Sequence, residues 1–191
     1  MNFVFLSSGD DAILNTVGLT NAKPFEIERD LSKLSEGLKD DINYDGVFTL
    51  VKKAVKAFLG KERTGLGLAL SRLPAELGAF WQVGGNYVIV NKSLIDALRA
   101  AGRSQLEINS FVFVILMHEY VHSIGVLDEV GARELTKRIC QNLFPVDHPA
   151  YIISSKDPWQ VYPFLKMVRG GRGESIEFVR HFDTDSASYI M

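Results

Sequence analysis

The feature that most constrains this chain is an apolar run that leads directly into the pattern His-Glu-Tyr-Val-His. The run covers positions 111–117 and the pattern covers 118–122. Ser104, followed three residues later by Glu107, forms a capping box and predicts that a helix starts just before the run. Because the run is apolar on every side, the helix is predicted to be buried all round. It is also shorter than the roughly 20 apolar residues of a membrane span.

The spacing of the two histidines indicates a metal site. Residues four apart lie on one face of a helix, so His118 and His122 can point at the same ion. Neutral imidazole nitrogen is a zinc ligand, and catalytic zinc sites keep one position open for water. Glu119 flanks this position and is predicted to be the base that takes a proton from that water. Polar groups on a buried helix are costly without partners, which favours a zinc site over a pair of hydrogen-bonded core histidines.

Three carboxylates after the motif compete to be the third ligand. Asp128 is placed to cap a second helix, and its distance from the motif also fits the ligand spacing of metzincins. Glu129 lies in the first turn of that helix, and the small residues Gly131 and Ala132 would let the helix approach the metal helix closely. Glu134 lies two turns in, on a different face. We predict Glu129 as the ligand, with Asp128 as the cap and the next candidate.

The sequence before the motif predicts a helix, a strand, a β-hairpin and a short helix, in that order. Their predicted positions are a helix capped by Asp45 and running to 58, a strand at 65–70, hairpin strands at 79–83 and 87–91, and a short helix capped by Ser93 and running to 102. Together with the two helices around the motif, this order predicts an α+β fold.

Motif and element order together resemble the zincin metallopeptidases over about residues 44–139, and most of all the small archaeal-type minigluzincins. The resemblance implies a zincin-like fold: a small twisted mixed sheet with a backing helix, and an active-site helix followed by a second, ligand-bearing helix. The arrangement of Glu129 with Ala132 resembles the glutamate helix of gluzincins and of compact peptidases related to the ImmA class. The chain has no thermolysin-type Asn-Glu-x-x-Ser-Asp motif and no third metzincin histidine.

The resemblance also implies an activity. In a zincin, His118, His122 and Glu129 would hold Zn²⁺, and Glu119 would be the general base that hydrolyses a peptide bond. An extended peptide or protein substrate would pair with an edge strand, at either 80–83 or 87–90. The alternative function is a non-catalytic zincin-like module that binds peptide or protein with a structural metal. Glu119 favours the enzyme, because a structural site has no use for a base beside the metal.

The chain is predicted to have three parts. Residues 1–43 form an N-terminal appendage of a strand and a helix, 44–145 the catalytic core, and 146–191 a C-terminal extension. In the extension, Asp147-His148-Pro149 predicts a loop, 175–180 alternates like a strand, and a glycine-rich hinge precedes the tail. The extension could complete the sheet, which we favour, or its tail could lie in the cleft and restrain activity.

Composition excludes some partners. The 21 Lys and Arg residues nearly balance the 23 Asp and Glu residues, giving a net charge of −2. We therefore expect no electrostatic attraction to nucleic acid or to an anionic membrane. The single cysteine, Cys140, and the absence of an apolar signal segment with preceding positive charge predict a reducing, cytoplasmic setting.

Overall fold

The computed structural model describes residues 36–39, 43–171 and 175–180. The predicted N-terminal strand, most of the helix that follows it, and the predicted tail lie outside these residues. In the described part, none of the helices has both the length and the apolar character that crossing a membrane requires.

The described residues form an α+β fold of six α-helices, one 3₁₀ helix and four strands, as the α+β prediction requires. The elements are α1 Tyr44–Leu59, β1 Gly67–Ser71, β2 Ala79–Trp81, β3 Tyr87–Asn91, α2 Lys92–Ala100, α3 Gln105–Ser123, α4 Glu129–Leu143, α5 Pro149–Lys156, α6 Pro158–Val161, the 3₁₀ helix Pro163–Met167 and β4 Ile176–Phe178. The predicted order of elements before the motif is confirmed.

The four strands make a mixed sheet in the order β2-β3-β1-β4. Strands β2 and β3 form the predicted antiparallel hairpin, whereas β1 and β3 are parallel. Strand β4 lies antiparallel to β1, so residues of the C-terminal extension complete the sheet. The predicted edge segment 80–83 overlaps β2, which is an edge strand of the sheet that the described residues form. The other segment, 87–90, lies in β3, which has a neighbouring strand on each side. The prediction that 87–90 is an edge is therefore wrong.

Helix α3 lies at the centre of the core. Fourteen of its 19 residues are buried, because α1, α4, α5 and β2 all pack against it. Edge-to-face ring pairs join it to two of these neighbours, Phe48 with Tyr120 and Phe113 with Phe144. Burying one large apolar side chain contributes about 1.5–3 kcal/mol, so the apolar run stabilises α3 from every side. Its predicted capping box, Ser104 with Glu107, is present.

Two predicted helix starts need correction, and one predicted loop leads into a helix. Asn43, not Asp45, caps α1, and its side chain accepts the backbone N–H three residues later. Asn91, not Ser93, caps α2. Its side-chain amide also donates to three carbonyls of the loop between β1 and β2, so one buried side chain anchors this loop to the start of α2. The loop predicted at 147–149 is present at its first two residues, and its last residue, Pro149, begins α5. His148 is the cap there and a proline occupies the first turn, a position that suits proline.

Candidate metal centre

The turn between α3 and α4 brings the third predicted ligand to the two histidines. His118 and His122 occupy the last turns of α3, and Glu129 is the first residue of α4. Between them Gly125 has φ of 113°, which a residue with a Cβ rarely adopts. The chain can therefore reverse within a few residues, and the first turn of α4 faces the end of α3.

The three side chains converge on one point. The His118 Nε2 and His122 Nε2 atoms are 3.1 Å apart. A Glu129 carboxylate oxygen lies 3.3 Å from the first nitrogen, and the other oxygen lies 3.4 Å from the second. Zinc bound at about 2.0–2.1 Å in a tetrahedron needs ligand atoms about 3.3–3.4 Å apart. The measured distances, which join two nitrogens and two carboxylate oxygens, are close to this separation, and two histidines with a glutamate are a known catalytic zinc set.

The ring nitrogens of His122 have distinct roles. Its Nδ1 lies 2.7 Å from the carbonyl oxygen of Val126. A carbonyl can only accept, so Nδ1 carries a proton, and Nε2 is the ring nitrogen that remains to bind a metal ion. Burial and the neighbouring His122 lower the pKa of His118 below its ordinary value. His118 is therefore held in the neutral form that binds metals.

The other two candidate ligands lie elsewhere. Asp128 caps α4, and its carboxylate accepts the backbone N–H of Gly131 at 2.6 Å. Glu134 forms ion pairs with Arg138 and Lys137 on the surface of the same helix. Among the described residues, Glu129 is the carboxylate that joins the two histidines in a group able to hold a metal ion. That these three residues bind a metal remains a prediction.

Glu119 is buried next to this group. It lines the same cavity as His118 and Glu129 and is 7% exposed. Burial raises the pKa of its carboxyl group to about 7, although the charge of His122 and a hydrogen bond from the backbone N–H of Trp81 act in the opposite direction. A carboxyl group with this pKa can both accept and release a proton near neutral pH.

The cavity in front of the group has a volume of about 230 Å³. One wall comes from α3 and another from the edge strand β2 and the residues before it. The far wall comes from α5 and α6, through residues that include Ile153 and Trp159. Trp159 is fixed there by a hydrogen bond from its indole Nε1 to the carbonyl of Ala75, at 2.7 Å. This far wall could not be predicted from the sequence, since these residues follow no recognisable spacing.

The edge strand turns part of its backbone toward the cavity. The carbonyl of Gly78 accepts the N–H of Asn91 on β3, at 2.8 Å. Because backbone groups alternate in direction along a strand, the N–H and C=O groups of Ala79 and Trp81 point away from β3. The hydrogen bond from the Trp81 N–H to Glu119 agrees with this orientation. Ala79, which lines the cavity, thus directs its backbone N–H and C=O groups away from β3.

Arg63 fixes the position of the edge strand β2 relative to α3. Its guanidinium donates to the carbonyl of Ser123, the last residue of α3, at 3.1 Å, and to the carbonyl of Gly85 in the hairpin turn, at 2.8 Å. The same guanidinium lies 5.1 Å from the ring centre of Trp81, whose indole N–H also donates to Gly85. Arg63 therefore joins both sides of the cleft. The sequence analysis did not identify this residue.

The comparisons with known proteins add no assignment. The sequence matches no protein-family model, and neither the curated proteins nor the solved structures include a significant match. The function must therefore be inferred from the arrangement of the site.

Proposed function

We propose that this protein is a zinc-dependent metallopeptidase of the zincin type. The observation that carries the proposal is the position of Glu119, a buried carboxyl group that shares one cavity with His118 and Glu129, two of the three predicted ligands. A site that only held a structural ion would need no proton acceptor there. The order of helices and the mixed sheet with an edge strand beside the cavity also support a zincin-like fold.

The residues of the chain have separate roles in the proposed reaction. A zinc ion held by the three donors would polarise the scissile carbonyl and make the attacking water more acidic. Glu119 accepts a proton from that water and later gives it to the leaving amine. The backbone of Ala79 pairs with an extended peptide substrate, by the addition of a strand to the sheet edge. Trp81 holds the carboxyl group of Glu119 through its N–H.

The test compares the zinc-loaded protein with its Glu119→Gln variant on labelled casein and on a quenched peptide mixture. Removing a general base typically costs about 10²–10⁴-fold in rate. We expect the Glu119→Gln variant to hydrolyse both substrates at least about 10²-fold more slowly, with its zinc content unchanged at one ion per chain. Glu134→Gln is the matched control, because Glu134 lies on the same helix as Glu129 but forms an ion pair with Arg138 on the surface. This variant should keep full activity.

Two results would contradict the proposal. Equal hydrolysis by the native chain and by Glu119→Gln would exclude this base. If the native chain bound zinc and peptides but hydrolysed neither substrate, the non-catalytic peptide-binding module would be the better interpretation.

A further inference from the structure

We propose that Arg133 binds a carboxylate group of the substrate, next to the bond that is cleaved. The inference rests on the proposed function, since it names the substrate class of the same site. It would make the protein selective for peptides with a negative charge on the residue adjacent to the scissile bond.

Arg133 faces the candidate metal centre. It lies four residues after Glu129 on α4, and residues four apart share a helix face with Cβ atoms about 5–6 Å apart. Arg133 also lines the cavity that contains His118 and Glu119.

The guanidinium of Arg133 has no counter-ion within the described residues. The other arginine of α4, Arg138, pairs with Glu134, whereas Arg133 makes neither an ion pair nor a hydrogen bond in this part of the chain. Two further carboxylates line the cavity. Asp157 accepts the N–H of Trp159, and Glu76 is an exposed residue that forms no ion pair with Arg133. Within the described part of the chain, Arg133 is therefore available to a ligand.

The chemistry of the Arg133 side chain specifies the ligand. The planar guanidinium matches the two oxygens of a carboxylate and binds them through paired hydrogen bonds. The rest of the cavity is mainly apolar, with Val114, Ile115 and Ile153 in its walls, so it suits the hydrocarbon part of the same residue. The carboxylate can be the C-terminal α-carboxylate or the side chain of Asp or Glu.

Binding is measured without turnover, in the full-length, zinc-loaded Glu119→Gln protein by calorimetry. One pair of probes is N-acetyl-Ala-Leu as the free acid and as the C-terminal amide. The second pair is the amides of N-acetyl-Ala-Glu and N-acetyl-Ala-Gln. We expect the charged member of at least one pair to bind about tenfold more tightly, the effect of one charge-assisted contact at a partly exposed site. The pair that shows the preference identifies the source of the carboxylate.

Two variants assign the effect to Arg133. Arg133→Met removes the charge with similar length and should abolish the preference, while Arg138→Met, on the same helix, should retain it. Zinc content and melting temperature establish that both variants are folded. Equal binding within both pairs would overturn the inference, and so would a preference that persists in Arg133→Met, since the carboxylate would then bind the metal itself. Because no hydrolysis is needed, the inference can fail or hold independently of the peptidase activity.

Discussion

Zinc should raise the melting temperature of this protein, and the size of the increase can be estimated from the site. The two histidine Nε2 atoms lie 3.1 Å apart, and each lies 3.3–3.4 Å from one oxygen of the Glu129 carboxylate, so the three side chains need little rearrangement when the ion binds. A ligand at about 100 times its Kd stabilises the folded state by about 2.7 kcal/mol. For a chain of this size about 1 kcal/mol corresponds to about 2–4 °C. We therefore expect an increase of about 5–11 °C.

The assay is thermal unfolding followed by circular dichroism or calorimetry, with zinc and with a chelator. His118→Ala and Glu129→Ala each remove one donor and should lose most of the increase. Two controls remove a nearby negative charge without removing a predicted donor. Asp128→Asn keeps an N-cap side chain that can accept the Gly131 N–H, and Glu134→Gln changes a surface ion pair. Both should keep the full zinc effect.

The pattern among these variants decides the outcome. If His118→Ala showed the same increase as the native chain, zinc would bind elsewhere and the reasoning from the triad would be refuted. If Glu129→Ala kept the increase while Asp128→Asn or Glu134→Gln lost it, the third ligand would be a different carboxylate.

Two further predictions concern stability. The hydroxyl of Thr136 is buried without a hydrogen-bond partner in the described part of the chain, so Thr136→Val should raise the free energy of unfolding by about 1 kcal/mol in urea titrations; a lower value would show that the hydroxyl has a partner. Burial and the charge of Lys39 lower the pKa of His148 to about 4, below the ordinary 6.5, so the unfolded chain binds the proton more readily. The stabilisation from neutral His148 is therefore complete above about pH 6.5 and is lost as the pH falls toward 4, about 1–2 kcal/mol between pH 7.5 and 5. His148→Asn, which retains a capping side chain but cannot titrate, should show a smaller loss of stability over this range; an equal loss would exclude His148 as its source.

The sequence was sufficient to predict α3 and the group at its end, because the signals are local. The capping box at Ser104, the apolar run and the spacing of His118 and His122 all lie within one helix. Glu129 could be preferred over its neighbours because Asp128 has the side chain of a helix cap, and the structure uses it as one. The α+β class followed from the alternating and helical periods of the earlier segments.

Features that depend on contacts between distant segments could not be predicted. The far wall of the cavity comes from α5 and α6, and nothing in the local sequence of Ile153 or Trp159 indicates that they approach the candidate metal centre. The helix caps show a smaller error of the same kind. Asp45 and Ser93 have side chains that suit a helix cap. However, Asn43 and Asn91 lie two residues earlier, and their side chains accept the backbone N–H groups at the start of each helix.

The bridge formed by Arg63 has a consequence for the width of the groove between β2 and α3. Apolar packing tolerates small changes in spacing, whereas a planar guanidinium that donates to two fixed carbonyls, those of Gly85 and Ser123, permits one separation. A lysine at this position would preserve the net charge, but it has a single ammonium group in place of the fork. Such a chain could fold around the same core and still present an opening of variable size. The dimensions of the groove are therefore encoded far from it in sequence, in the segment that joins α1 to β1.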